Sequence, residues 1–293
     1  MLKHSGVSAA VFALTLSAAF ISCSRASAQS SRTLPAPNYE SNSGASEQTQ
    51  EQNKTNPDVE KFNAVYAKMS LRFKGDIHFE DESKIEAFIK DLKDVLAEEK
   101  EMPENDVSLF YLIDKKHNIG SEYEPKGLIP VKQCSLYNVS RNDLSLRPEA
   151  FYALDDLARA AKADGITLMV SSTYRSYNYQ KNLFARYVAQ DGEAEAERYS
   201  ARPGTSQHQL GVAVDFGSIT DDWGDTRMGK WVYNNAAKYG WSLSFPKGYE
   251  DVTGYMWECW HFRYIGKKAC ALQEKYFAGI QQYMLEFIDA WKN

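Results

Sequence analysis

The sequence predicts an α+β fold, a small antiparallel sheet with flanking helices, and three observations point to it. Helical and strand periodicities interleave over residues 108–266, the later strands are short and hairpin-like, and no Gly-rich phosphate loop or internal repeat marks a doubly wound sheet or a solenoid. At 293 residues the chain is too long for one minimal domain and too short for several large ones, which leaves one core domain with appendages.

The appendages come first. Lys3 and His4 precede an apolar run from Val7 to Ile21, so residues 1–23 read as a secretory signal peptide, and no other stretch is long and apolar enough to span a bilayer. Two cleavage readings stay open. Ile21, Ser22 and Cys23 resemble a lipobox whose cysteine would carry lipid, while Ala26, Ser27 and Ala28 fit the small-x-small pattern of ordinary cleavage; the point where the apolar run stops favours the lipobox. The expectation is an exported protein of the periplasm or cell envelope, linked to a membrane only through a lipid at Cys23. Residues 24–56 hold hardly any large apolar side chain, cannot offset their ordering entropy, and read as a disordered tether. Over 57–105 the pattern turns helical. Ile85, Phe88, Ile89, Leu92, Val95 and Leu96 share one face at spacings of three and four, as in a helical appendage packed on the core rather than one held out for a partner.

Residues 106–293 form the core domain. LFYLI after Ser108 reads as a short strand. Glu149 to Asp164 is an amphipathic helix with Phe151, Leu154, Leu157, Ala158 and Ala161 inward, closed by Gly165. The strand ITLMVSS follows and delivers Thr173, Tyr174 and Arg175 at its end; Ser176 to Gln190 is the next helix. Leu210 to Phe216 reads as a strand, Arg227 to Tyr239 as a helix ended by Gly240, and Trp241 to Phe245 and His261 to Ile265 as strands. A last helix from Lys267 to about Trp291 aligns Leu272, Tyr276, Ile280, Tyr283, Phe287 and Ile288 along one stripe.

Charge and cysteines narrow the chemistry. A formal charge of -5 supplies no broad basic field to neutralise phosphates, which argues against nucleic acid as the partner. Cys134, Cys259 and Cys270 remain after processing, an odd number that cannot all pair within the chain, and no CxxC suggests a cysteine-zinc site.

Only five histidines are present, and His4 belongs to the leader. His78 lies in the appendage and His117 in the polar stretch KKHN, where a solvated imidazole is expected. That leaves His208, in PGTSQHQLGVAVDFG, and His261, in MWECWHFRYIG. Asp215 sits among Val212, Val214 and Phe216, where a carboxylate is costly to bury unless a cation or several donors meet it. A hydrogen-bonded His208–Asp215 pair and a shared metal both satisfy that demand. Glu258 precedes His261 by three and is flanked by Trp257, Trp260 and Phe262; aromatic walls would exclude water and raise its pKa, as suits a base that later acts as an acid. Two histidines and one aspartate with a fourth position open match a catalytic zinc site rather than a structural one.

With those residues in view, the stretch from about Leu109 to Gly266 resembles the zinc D-Ala-D-Ala carboxypeptidases of the VanY and LdcB type, and more distantly the VanX dipeptidases. The resemblance rests on LFYLIDKKHNIGSEYEPKGLIPV, SSTYRSYNYQ, PGTSQHQLGVAVDF and FPKGYEDVTGYMWECWHFRYIG, in the family's order. It implies a zinc DD-peptidase (hedgehog-like) fold, one Zn2+ per chain held by His208, Asp215 and His261, and Glu258 as the catalytic base. It further implies that Arg175 contacts the scissile carbonyl or the bound peptide, and that Gln180 and Ser206 line the substrate groove. Arg175 would not be singled out without it. Three positions depart from the family pattern: Cys259 stands where proline is common, Thr173 where glycine is frequent, and Gln207 where glutamate often precedes the histidine. Cys259 could perturb the site, pair with Cys270 or act as a soft ligand.

The activity so implied is hydrolysis of the C-terminal peptide bond of a peptidoglycan stem peptide with release of D-alanine. L,D-carboxypeptidase action on tetrapeptides uses the same metal site, and a zinc-containing wall-binding module without turnover is the alternative from another class. The module would not need Glu258, which is present.

Overall fold

The computed structural model describes residues 56–100 and 106–293, without the side chains of residues 99 and 100. The expected signal peptide, Cys23 and the expected tether up to residue 55 lie outside those residues. Among the described residues no helix is long and apolar enough to cross a membrane. In chain order the helices are α1 (Pro57–Lys68), α2 (Leu71–Asp76), α3 (Glu82–Lys100), α4 (Pro148–Ala163), α5 (Tyr177–Asp191), α6 (Glu193–Tyr199), α7 (Arg227–Asn235), α8 (Glu250–Thr253), α9 (Lys267–Tyr276) and α10 (Gln281–Lys292). The strands are β1 (Ile129–Pro130), β2 (Tyr137–Val139), β3 (Ser145–Leu146), β4 (Leu168–Ser172), β5 (Ala213–Phe216), β6 (Trp241–Phe245) and β7 (Glu258–Tyr264).

Five strands form the central sheet in the order β2-β4-β5-β7-β6, while β1 and β3 make a separate two-stranded ladder. The sheet is antiparallel except at one edge, where β2 runs parallel to β4. β5 at its centre is buried at every residue, so AVDF carries an aspartate into the interior. Helix α4 covers one face with Ala150, Leu154, Leu157, Ala158 and Ala161. Phe151, expected inward, is only half-buried and lies edge-on to Tyr152.

The LFYLI segment is not a strand. Leu109, Phe110, Leu112 and Ile113 are buried as expected of an apolar run, yet the backbone turns at Tyr111, whose amide donates to the Ser108 carbonyl. Arg263 supplies the reason. Its guanidinium is fully buried beside the segment and donates to the Leu109 and Tyr111 carbonyls at 2.7 and 2.9 Å, so those acceptors satisfy a buried charge rather than a ladder.

Within the helical region expected over 57–105, the described residues form three helices, and they pack on the C-terminal part of the chain. Phe62, Phe73, Phe79 and Phe88 from this region interlock with Tyr276, Phe277, Tyr283 and Phe287 of the C-terminal helices, with Phe88 edge-on to Phe287 at 5.1 Å and Phe73 to Tyr283 at 5.0 Å. Such pairs contribute about 0.5–1.5 kcal/mol each beyond the apolar area they bury.

The last helix is broken in two. The stripe from Leu272 to Ile288 continues across the break, but the chain turns at Ala278 and Gly279, both with positive φ (52° and 71°), and the Gln273 amide donates to the Gly279 carbonyl at 2.6 Å. Ala278 is the one non-glycine residue of the described chain in the left-handed region, and it is exposed. An L-residue there costs about 1–2 kcal/mol, and glycine gives back roughly 0.5–1 kcal/mol through the freer unfolded chain. Ala278→Gly should therefore raise stability by about 0.5–1 kcal/mol, read as a higher urea midpoint at unchanged slope. A lower midpoint would show that the turn draws on its methyl group.

Candidate metal centre and catalytic cleft

Each site residue is placed by a departure from regular structure. Asp215 is the penultimate residue of β5, where pairing with β4 shifts register between Val170↔Phe216 and Ser172↔Asp215. His208 lies in the 3-10 turn Gln207–Leu210, capped by Ser206, whose Oγ accepts from the His208 amide at 3.3 Å, and closed by Gly211 at φ 72°. His261 sits opposite Asp215 on β7. Glu258 is on the same strand, three residues earlier, and regular alternation would send the two side chains to opposite faces. The register shift between Leu243↔Phe262 and Phe245↔Glu258 interrupts the alternation, and both side chains line the same cleft.

His208, Asp215 and His261 offer three ligand atoms within 4.8 Å of one another, all buried. The second nitrogen of each imidazole is already committed. His208 Nδ1 donates to the Thr173 carbonyl at 2.6 Å, so its Nε2 carries a lone pair; that lone pair faces Asp215 Oδ2 at 3.2 Å. His261 Nε2 donates to Gln207 Oε1 at 3.2 Å, which leaves the Nδ1 lone pair facing Asp215 Oδ1 at 3.1 Å. Burial and the Arg175 guanidinium hold His208 down at about 4, neutral at pH 7.

Two neutral lone pairs pointed at a buried carboxylate repel it unless a cation lies between them. Consistent with that, His208 Nε2 and Asp215 Oδ1 have no hydrogen-bond partner among the described residues, which argues against a simple hydrogen-bonded His–Asp pair. The imidazole nitrogens meet different oxygens of the carboxylate, at 3.1 and 3.2 Å, and the three residues lie close enough for one ion to reach them all. The residues present thus fit a divalent ion of the zinc class, with the second nitrogens oriented as metal-bound imidazoles usually are.

The cleft around these groups has a cavity volume of about 100 Å³. Glu258 reaches it, with Oε2 3.5 Å from His261 Nδ1. Burial first, and then the Asp215 charge, push Glu258 well above the ordinary carboxylate range, while Arg175 opposes them as a bound cation would. The aromatic walls are Phe245, Tyr255 and Trp260. Trp257 and Phe262, expected among them, do not line the cleft: Trp257 lies beneath the Lys247 ammonium, and Phe262 packs on Phe216 within the sheet.

Arg175 lies with Nη2 3.9 Å from Asp215 Oδ2, and its Nε is buried without a partner. Its own amide donates to the His208 carbonyl, so Thr173 and Arg175 grip the ligand turn from both sides. Gln180 donates to the Ala201 carbonyl at 2.7 Å and keeps Oε1 buried and unpartnered in the cleft. Ser206 lines the cleft while serving as the cap of the turn. Cys259 stands outside the metal cluster, with Sγ toward the Thr220 and Asp221 carbonyls, and Cys134, Cys259 and Cys270 are all free thiols. His117 is half-exposed and bonds to Asp114 at 2.8 Å.

Sequence reasoning missed three contributors. Tyr255 presents a buried hydroxyl without a partner to the cleft, and burial pushes its phenol up, keeping it a donor. Asp114 and Gln282 form part of the wall, joined at 2.9 Å. The aromatic–polar string GYMWE was the one signal for Tyr255; Gln282 had only its polarity at the head of an apolar stripe.

The arrangement predicts one divalent ion of the zinc class per chain, lost from His208→Ala and His261→Ala, because a three-ligand site rarely survives the removal of one. Metal analysis of dialysed protein checks this. Full stoichiometry in both variants would exclude the site.

Comparison with known proteins agrees. Residues 143–267 match the family model described as VanY, D-alanyl-D-alanine carboxypeptidase. The chain is 36% identical over 186 residues to the putative carboxypeptidase YodJ of Bacillus subtilis, covering 61% of this chain and 68% of that protein. It is 31% identical to a D-alanyl-D-alanine carboxypeptidase of Enterococcus faecalis, covering 60% of this chain and 66% of that one. Among solved structures, the LdcB LD-carboxypeptidase superposes with a TM-score of 0.52 at 36% identity, over 58% of this chain and 85% of that one. VanXYg, a D,D-dipeptidase, shares the fold with a TM-score of 0.54 at 23% identity, over 62% and 72%. The family match spans Arg175, His208, Asp215, Glu258 and His261 together, and the chain belongs to the VanY family of D-alanyl-D-alanine carboxypeptidases.

Proposed function

We propose that the protein is a zinc carboxypeptidase of the cell envelope that hydrolyses the C-terminal D-alanyl-D-alanine bond of peptidoglycan stem peptides and releases D-alanine. The observation that carries this is the convergence of two neutral imidazole lone pairs on Asp215 beside a buried carboxyl, Glu258. His208, Asp215 and His261 would hold one zinc ion, which when bound supplies Lewis acidity toward the attacking water and the scissile carbonyl. Glu258 takes the proton from that water and hands it to the leaving amine, a double role suited to a carboxyl whose pKa is raised by burial. Arg175 faces the oxygen of the carbonyl as charge develops there. Gln180 Oε1, Ser206 and the Tyr255 hydroxyl offer an acceptor and donors to the peptide. Export by residues 1–23, a lipid at Cys23 and a tether over 24–56, ahead of helical residues 57–105 and a catalytic domain over 106–293, belong to the same reading, since the wall lies outside the cytoplasmic membrane.

A second reading, L,D-carboxypeptidase action on tetrapeptides, is favoured by the likeness to LdcB. Purified muropeptides separate the two. Zinc-loaded enzyme should shorten pentapeptide chains by one alanine, as followed by mass spectrometry. Shortening of tetrapeptides alone would replace the first reading with the second, and no shortening of either would overturn both. Glu258→Gln should keep its zinc and its fold while losing roughly a hundred- to ten-thousand-fold in rate. A variant that releases alanine within a few-fold of the parent would remove Glu258 from the chemistry.

A further inference from the structure

We propose that Gln281, at the start of α10, is a positioning residue that sets which nitrogen of His261 faces the metal, acting through Gln207. The inference rests on the reading of His261 as a ligand. It begins at a group with no choice. The Ser242 carbonyl on edge strand β6 can only accept, and Gln281 Nε2 donates to it at 3.3 Å. That fixes the Gln281 amide, so its Oε1 must point the other way, where Gln207 Nε2 donates to it at 3.2 Å. The Gln207 amide is thereby fixed in turn, with Oε1 toward His261 Nε2 at 3.2 Å. An amide oxygen can only accept, so the imidazole proton sits on Nε2 and the Nδ1 lone pair is left for the cation. Ser244 Oγ seals the chain by donating to Gln207 Oε1 at 2.7 Å. Gln207, Gln281, Ser242 and Ser244 are all buried, which keeps water from offering an alternative partner.

A glutamate at position 207 would accept from His261 without help. Gln207 has both a donor end and an acceptor end, and only its neighbour decides which end faces the imidazole. Gln281 therefore has a task that follows from the amide at 207. It is supplied by a helix that lies beyond the stretch matched by the family model, residues 143–267.

The test is zinc affinity of the full chain, by competition with a chelator, paired with nitrogen-15 imidazole spectra that report the tautomer of His261 with and without zinc. Gln281→Leu removes both ends of the amide at similar volume. It should weaken zinc binding about ten- to a hundredfold, as loss of an outer partner of a ligand typically does, and populate both tautomers of His261 in the zinc-free chain. Gln281→Glu keeps the acceptor for Gln207 but loses the donor to the Ser242 carbonyl, so it should hold the His261 tautomer and recover affinity in part. Gln207→Glu should likewise keep the Nε2 proton on His261. Trp291→Leu, which disturbs the packing of α10 and touches none of these hydrogen bonds, should lower the melting temperature and leave zinc affinity unchanged.

Unchanged zinc affinity in Gln281→Leu, or an equal loss in Trp291→Leu, would overturn the proposal. Should Gln281→Leu fail to fold, Gln281→Glu and Gln207→Glu carry the test, and a switch of tautomer in either overturns it. Full zinc content in His261→Ala would instead overturn the ligand assignment on which the proposal stands.

Discussion

The site depends on an arrangement that is unfavourable by itself: two neutral imidazole lone pairs aimed at a carboxylate in a dry interior. At 3.1 and 3.2 Å, in a medium that screens poorly, lone pair against negative charge is repulsive, and no rotation relieves it while the other nitrogens are held by the Thr173 carbonyl and Gln207. A cation between the three groups replaces both repulsions with attraction. The fold therefore has to maintain this repulsion without metal, and most of the irregular features near the cleft can be understood as doing so.

Regular strands would not suffice. Period-two alternation can bring Asp215 and His261 opposite each other across β5 and β7, but it cannot also put Glu258 in the same cleft. The irregular pairing of β6 with β7 supplies the extra residues that turn Glu258 inward, and the bulge between β4 and β5 aims Asp215. His208 comes from outside the sheet, on a turn fixed by its Ser206 cap, by Gly211 and by two backbone contacts from the end of β4. Rigid elements thus hold every ligand, as a site that must be poised before substrate arrives requires.

The sequence carried part of this plainly and part not at all. The candidate ligands and base were legible because histidines are scarce and because an aspartate among valines asks for a partner. Arg175 was visible only through resemblance, since an arginine at a strand end is ordinarily solvated. LFYLI misled because its apolar run has the same pattern whether its carbonyls join a ladder or receive Arg263, and that arginine lies 152 residues from Tyr111. The break in the last helix was hidden for a related reason: the apolar stripe from Leu272 to Ile288 keeps its spacing across Ala278 and Gly279, so periodicity saw one helix where the backbone makes two. The network through Gln207 and Gln281 spans 74 residues and depends on amide orientation, which no spacing rule encodes.

Helix α10 connects these observations. One of its faces, with Tyr283, Phe287 and Trp291, belongs to the aromatic cluster shared with α1–α3; at its start Gln281 reaches toward His261 and Gln282 toward Asp114 on the cleft wall. The Tyr283 hydroxyl also donates to Asp76 at 2.7 Å, and Arg72 on the same short helix α2 stacks on Tyr249, just before the cleft-lining segment that ends in Tyr255. The N-terminal helices therefore pack directly on the helix that carries Gln281 and Gln282. The apolar face of α3 packs inward for the same reason: Phe88 meets Phe287 of α10 edge-on within that aromatic cluster.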